Sequence, residues 1–250
     1  SKQVALAVRI WGQSTTASVG RTVTNVARRA RRARETPAVA AAQARAAWTR
    51  IRSAAKGVAH YDRFCLYRGQ LWTRGIEPPP GLELRVFTEA DFDKLDDARR
   101  ADLAEQLNVD DARARKHWQR GDQAVLATLG IRPAGIAWAA RGPIEAPELG
   151  RTLKMSKYDA YIHSVFVAPA ARGRNVGPVM LEQLTKELRA TDTYRSWALI
   201  AADNTASIRA FQKASFTPVC DVIHTKVATV DRLVLRPPDP EAKELLGLDE

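Results

Sequence analysis

Cysteine is scarce in this chain of 250 residues: there are two, Cys65 and Cys220, far apart in sequence. Neither belongs to a cluster with metal-ligand spacing. A disulfide between them is one arrangement, and reduced cytoplasmic thiols are the plainer one. Histidine is almost as rare, with four scattered residues, so no metal site is expected. No apolar run approaches the roughly 20 residues that a membrane-spanning helix needs. The expectation is a cytoplasmic protein that touches a membrane, if at all, from outside. There are no internal repeats. Acidic residues are nearly missing from one region: residues 1–75 hold 15 Lys and Arg against only Glu35 and Asp62, a net of +13. The chain's total is +11, so everything after that segment sums to −2.

That asymmetry divides the chain. Residues 1–75 read as a basic, mainly helical extension, with Arg28, Arg29, Arg31, Arg32 and Arg34 among alanines, then an alanine-rich stretch and the aromatic, basic run YDRFCLYRGQLW. Residues 76–81 are a Pro/Gly linker ending Pro78-Pro79-Pro80-Gly81. A domain follows over 82–240, and 241–250 is an acidic tail. Arginines interleaved with aromatics suit an anionic membrane surface. Phosphate neutralisation by nucleic-acid contact is weaker, since no nucleic-acid motif is visible. A targeting segment is a third reading. The plainest is a solvated helical face packed on the domain or on a sister subunit.

Within the domain, Leu82 to Phe87 alternates as a strand, and Thr88 caps a helix from Glu89. Two helical pieces, Arg99 to Leu107 and Asp110 to Arg120, break near Asn108 and stop at Gly121. Gln123 to Leu129 and Pro133 to Ala140 form a hairpin across Gly130. Arg141 to Lys157 reads as a long loop. Trp197 to Ala202, Pro218 to Ala228 and Val230 to Arg236 are further strands.

The stretch from Tyr158 to Leu188 organises the rest. Tyr158 to Val167 is aromatic and β-branched, the composition of a half-buried strand, and Pro169 ends it. Met180, Leu181, Leu184 and Leu188 then recur at helical spacing, with Glu182, Lys186 and Glu187 on the other side. Between them lies Arg172-Gly173-Arg174-Asn175-Val176-Gly177. A strand turning into a helix there aims unpaired N–H groups and the positive end of the helix dipole one way, which suits a phosphate.

The sequence VAPAARGRNVG resembles the acetyl-CoA signature of the GNAT superfamily of N-acetyltransferases. A second block, Asn204 to Phe216 (NTASIRAFQKASF), is similar to that family's downstream block. The likeness covers about 82–237. It implies an α/β fold, a mixed and mostly antiparallel sheet flanked by helices, with the helical pieces after Thr88 roofing an acceptor pocket. It also implies acetyl-CoA, or another acyl-CoA, as co-substrate. The pantetheine would lie along Val165, Phe166 and Val167, with the Val167 N–H facing the oxyanion. The backbone of Arg172, Gly173, Arg174, Asn175, Val176 and Gly177 would hold the pyrophosphate, and Pro178 would also lie at the cofactor. Asn204 would orient the acyl arm, and Lys213 would lie on the solvated face near a phosphate.

This chain departs from the pattern twice. Asn175 replaces a glycine, and asparagine tolerates left-handed backbone. Phe211 replaces a tyrosine that in many members protonates the departing thiolate, which phenylalanine cannot do; it would pack against the cofactor. His163 stands where a number of members carry a glutamate, and an imidazole can take a proton near neutrality. The alternative for His163 is a structural, hydrogen-bonded role. Tyr161 and Tyr158 are the other nearby candidates, against plain packing as strand aromatics. The expected function is acyl transfer to a small-molecule amine, for instance an amino sugar of surface-polysaccharide assembly. The competing expectation is a GNAT-fold binding protein that has lost catalysis and engages membrane or nucleic acid through its basic arm.

Overall fold

The computed structural model describes residues 59–70, 75–227 and 230–248. Ten strands, six helices and one short 3-10 turn follow in this order. Strand β1 is Ala59–Gln70 and β2 is Leu82–Val86. Helices α1 (Glu89–Asp93), α2 (Asp97–Leu107) and α3 (Asp111–Gln119) come next. The hairpin β3 (Gln123–Leu129) and β4 (Arg132–Arg141) leads to β5 (Ile144–Ala146), β6 (Arg151–Leu153) and β7 (Asp159–Val167). The remainder is α4 (Val176–Arg189), β8 (Arg195–Ala201), α5 (Thr205–Lys213), β9 (Phe216–Val227), β10 (Val230–Arg236) and α6 (Pro240–Leu246).

Eight strands form one sheet in the order β10-β9-β1-β8-β7-β4-β3-β2. Every pairing described is antiparallel except β7 with β8, which is parallel. The local signals behave as their chemistry requires. Thr88 and Asp91 form a reciprocal capping box on α1, Asp96 and Asp110 cap α2 and α3, and Asn108 ends α2 in a left-handed conformation. The larger core gathers Phe87, Phe92, Ile136 and Trp138 with Met180, Leu181 and Leu184 of α4. A second core holds Leu66, Leu149, Leu153, Tyr161, Trp197, Leu245 and Leu246.

Four expectations change. The segment Ala59–Gln70, assigned above to a mainly helical extension, is a strand inside the sheet, paired with the whole length of β8; the rest of 1–75, apart from Gly75 itself, lies outside the described residues. Its two arginines do not prevent this, because Arg63 meets Asp221 on β9 and Arg68 meets Glu241 on α6. The loop between Arg141 and Lys157 contains the β5–β6 hairpin, whose Ile144, Ala146 and Leu153 are buried in the second core. The acidic tail is in large part helix α6, capped by Asp239 and anchored by buried Ala242, Leu245 and Leu246. Three apolar residues at helical spacing outweighed the charge pattern there.

Glu182, expected on the solvated side of its helix, is 4% exposed. Its carboxylate accepts the backbone N–H groups of Gly75 and Ile76 at 2.7 and 2.9 Å. The chain must cross from β1 in mid-sheet to β2 at the sheet edge, and this carboxylate holds the crossing against α4.

Gly69 shows how closely β1 is packed. A Cβ there would lie 2.5 Å from the Phe216 ring and 2.6 Å from Ser196 Oγ, groups on β9 and β8. Gly69→Ala is expected to destabilise the fold by about 1–3 kcal/mol through overpacking, read as a lower midpoint in denaturant unfolding. An unchanged midpoint would show that β1 is not seated between those strands.

Candidate functional site

The site grows from the two edges of β7. Toward β4, the ladder runs from Arg141↔Ala160 to Gly135↔Val167, with one irregularity: Ser164 and Val165 together oppose Ala137. This is a β-bulge, and Ser164 takes a left-handed φ of 49° to make it. Toward β8, pairing ends after Tyr161↔Trp197. The Ala168 N–H bonds the Ala134 carbonyl at 2.9 Å. By antiparallel alternation, Val165 and Val167 therefore turn their N–H and C=O groups away from β4. They face the gap that opens between β7 and β8. The Val167 carbonyl already accepts from Arg172 Nε at 3.2 Å.

One end of this gap meets the turn into α4. Gly173 has φ 76° and Asn175 φ 61°, so asparagine does adopt the left-handed geometry of the glycine it replaces. Asn175 makes no side-chain cap on α4; its amide oxygen accepts from Lys213 Nζ at 2.7 Å, which holds that side chain toward α5. Two clefts flank the turn. One of about 530 Å³ is lined by Arg132, Ala168, Ala171 and Arg174 among others. The other, about 610 Å³, lies between the Pro78–Pro80 crossing, Asn175 and Lys213. Val176, Gly177 and Pro178 are buried in the first turn of α4. A Cβ on Gly177 would make only ordinary contacts, at 3.5 Å, with Val167 and Ala210.

At the bulge lies a pocket of about 160 Å³ lined by Asn108, His117, Trp138, Ser164, Val165 and Phe166, with others. Beneath it lies a polar cluster that the sequence reading did not find. Helix α3 ends in His117, Arg120 and, past Gly121, Asp122. The turn is pinned by Gly121 N–H to the Trp118 carbonyl (2.8 Å) and Asp122 N–H to the His117 carbonyl (3.0 Å). Arg120 Nε donates to Asp122 Oδ1 at 2.8 Å, and its Nη2 bonds Oδ2. His117 Nδ1 lies 3.0 Å and His163 Nε2 lies 3.1 Å from the same Oδ2. On its other side, His163 Nδ1 lies 3.1 Å from Ser164 Oγ. The Asp122 side chain is wholly buried, whereas those of His163, His117 and Arg120 are 12%, 20% and 29% exposed.

Burial pushes the Asp122 carboxyl up, but hydrogen bonds from His117, His163 and Arg120 outweigh it and hold the group well below the usual carboxylate range. Burial pushes the His163 imidazole below its ordinary value, against the opposing pull of Asp122. The pair is thus a carboxylate beside a neutral imidazole near neutral pH. His117, Asp122 and His163 also bring three ligand-type atoms within 4.8 Å, although no metal was expected from the sequence. A cation already sits among them: Arg120 Nη2 bonds Asp122 and is 3.1 Å from His117 Nδ1 and 3.3 Å from His163 Nε2.

The remaining candidates disperse. Tyr161 stacks on His163 with centroids 6.2 Å apart, but it is buried in the second core with its hydroxyl 3.5 Å from Glu148 Oε1. Burial and that carboxylate push its phenol up. Tyr158 is exposed just before β7 and packs at a tilt against Tyr194. Asn204 spends its side-chain oxygen capping α5, accepting from Ser207 N–H at 3.1 Å. Phe211 is 2% exposed and packs edge-on against Phe216 at 4.9 Å. The missed cluster did leave a trace: His117, Arg120 and Asp122 crowd a helix end. Nothing in the spacing ties them to His163, 41 residues on.

Among the described residues, no helix is long and apolar enough to cross a membrane. Residues 91–216, half of the chain, match the model of the Acetyltransferase (GNAT) family. No curated protein matches the chain. Among solved structures, a GCN5-related N-acetyltransferase from Sphaerobacter thermophilus is 16% identical, over 70% of this chain and 55% of its own, with a TM-score of 0.48. An acetyltransferase from the GNAT family of Colwellia psychrerythraea is 13% identical, over 66% and 56%, at 0.47. A GCN5-related N-acetyltransferase from Kribbella flavida is 14% identical, over 68% and 60%, at 0.46. The chain thus spans little more than half the length of these proteins.

The His163 assignment is open to direct measurement. Its imidazole is expected to titrate below 6.5 in nuclear magnetic resonance. Because Asp122 favours the protonated ring, Asp122→Asn is expected to lower that midpoint further. A midpoint raised by the substitution would contradict the cluster as described.

Proposed function

We propose that this chain, which belongs to the GNAT acetyltransferase family, is an N-acyltransferase that takes its acyl group from acetyl-CoA or a close relative and passes it to a small amine. The observation that carries this reading is the one-sided β7 edge. Beyond Tyr161 the strand offers backbone donors and acceptors, from Val165 and Val167, to an extended ligand lying in the gap, as an added strand would. A pantetheine arm has amides at spacings that such an edge can satisfy. At one end, the turn with Arg172 and Arg174 at the start of α4 suits the pyrophosphate. Further along the strand, the thioester reaches the pocket that Ser164 lines, with His163 behind that hydroxyl.

In this reading the Val167 N–H faces the oxygen on which charge develops as the amine attacks. His163, neutral near physiological pH, is the base that leaves the amine uncharged or takes its proton. Phe211 supplies no proton, so the thiolate is protonated by water entering the open gap. The acceptor pocket admits a small amine. The suggestion of an amino sugar rests on the basic segment before β1, which lies outside the described residues, and nothing in the pocket selects it over other amines.

Calorimetric titration with acetyl-CoA tests the reading. Binding is expected, with a Gly173→Ala, Gly177→Ala double variant weaker by about tenfold or more, since a side chain at Gly173 costs roughly 1–2 kcal/mol in left-handed backbone. Release of free CoA is expected only when a primary amine is present. Tight binding without any amine-dependent release would leave a binding protein and no transferase.

A further inference from the structure

The imidazole of His163 does not face the acceptor pocket directly. Its Nε2 is committed to Asp122 and its Nδ1 to Ser164 Oγ. Ser164 is exposed and lines the pocket. The bulge that presents it costs the chain a left-handed non-glycine residue, although glycine would sit there without strain. One proton assignment agrees with the hydrogen bonds around Asp122. The His163 Nε2–H and the His117 Nδ1–H donate to Asp122 Oδ2, and the bare His163 Nδ1 accepts from the Ser164 hydroxyl.

We propose that Ser164, His163 and Asp122 form a proton relay in which the Ser164 hydroxyl, not the imidazole, is the catalytic group that touches the acceptor amine. The proposal rests on the acyltransferase reading above. The amine nitrogen forms its bond to the thioester carbon, and the carbon–sulfur bond breaks with its electron pair leaving on the thiolate. The surplus amine proton passes to Ser164 Oγ as the serine's own proton passes to His163 Nδ1. The imidazolium so formed lies against the Asp122 carboxylate, and returns its proton through Ser164 to solvent, from which water protonates the thiolate. Asp122 is a positioning residue: it fixes the ring's tautomer and stabilises its charge. The groups facing His163 are Asp122, Arg120, His117, Tyr161 and Ser164; only Asp122 is an anion, and it is shared with the Arg120 guanidinium.

Two measurements on the full chain test this. The first needs no acceptor: imidazole nitrogen shifts near neutral pH, assigned with a His163→Asn variant. The expected tautomer has Nε2 protonated and Nδ1 bare, and Ser164→Gly is expected to shift Nδ1 toward the value of an unbonded acceptor. A protonated Nδ1 overturns the relay. The second is kinetic. Ser164→Gly suits the backbone, so the unfolding midpoint is expected to hold or rise. kcat is expected to fall about a hundredfold, the ordinary scale of general-base catalysis, with the affinity for acetyl-CoA unchanged. An active wild type matched by Ser164→Gly overturns the relay while leaving the transferase reading intact. A wild type with the expected tautomer that acetylates no amine overturns both. Acetyl found covalently on Ser164 overturns the relay in favour of a nucleophilic serine.

Discussion

The structure depends on how the backbone hydrogen bonds of β7 are shared between two neighbours. On one side β4 accompanies it to Val167 with a single bulge. On the other, β8 leaves after Tyr161. On its far side β8 stays paired with β1, which holds all seven of its residues in antiparallel register. Gly69, where β1 comes against β9 and β8 too closely for any side chain, marks the tightness of that grip. The gap beside Val165 and Val167 lies where β8 parts from β7 while keeping its partner β1. Backbone groups on an unfilled edge must pair with water, side chains or a ligand.

Buried charge follows the same logic of donors and acceptors. Glu182 is out of water on α4 because two N–H groups of the crossing segment reach it. Asp122 is out of water because Arg120 and two histidines surround it. The first fastens the route that β1 must take to reach β2. The second places a carboxylate behind His163 and keeps it ionised against its burial. One stabilises topology and the other tunes chemistry, yet each offsets the cost of burial with aimed donors.

Much of this could be read from local pattern. The strand through His163, the turn at Gly173 and Asn175, the amphipathic α4 and the capped helices α1 to α3 all follow from short-range signals: alternation, helical spacing, a capping threonine, a left-handed asparagine. β1 was not legible, because its arginines look like part of a basic arm until Asp221 and Glu241 arrive from 158 and 173 residues away. Helix α6 was hidden for the reverse reason: its acidic surface masks the three residues that it buries.

Sequence alone determined the class of fold and the place of the turn into α4, since both depend on residues adjacent in the chain. It also singled out His163, a titratable group on β7. Only the tertiary structure decided what that histidine can do. The carboxylate bonded to it lies 41 residues earlier, and the Ser164 hydroxyl beside it is exposed at a bulge in the pairing with β4. A group's chemistry is set by the atoms within hydrogen-bond distance, and in a folded chain those are chosen by topology.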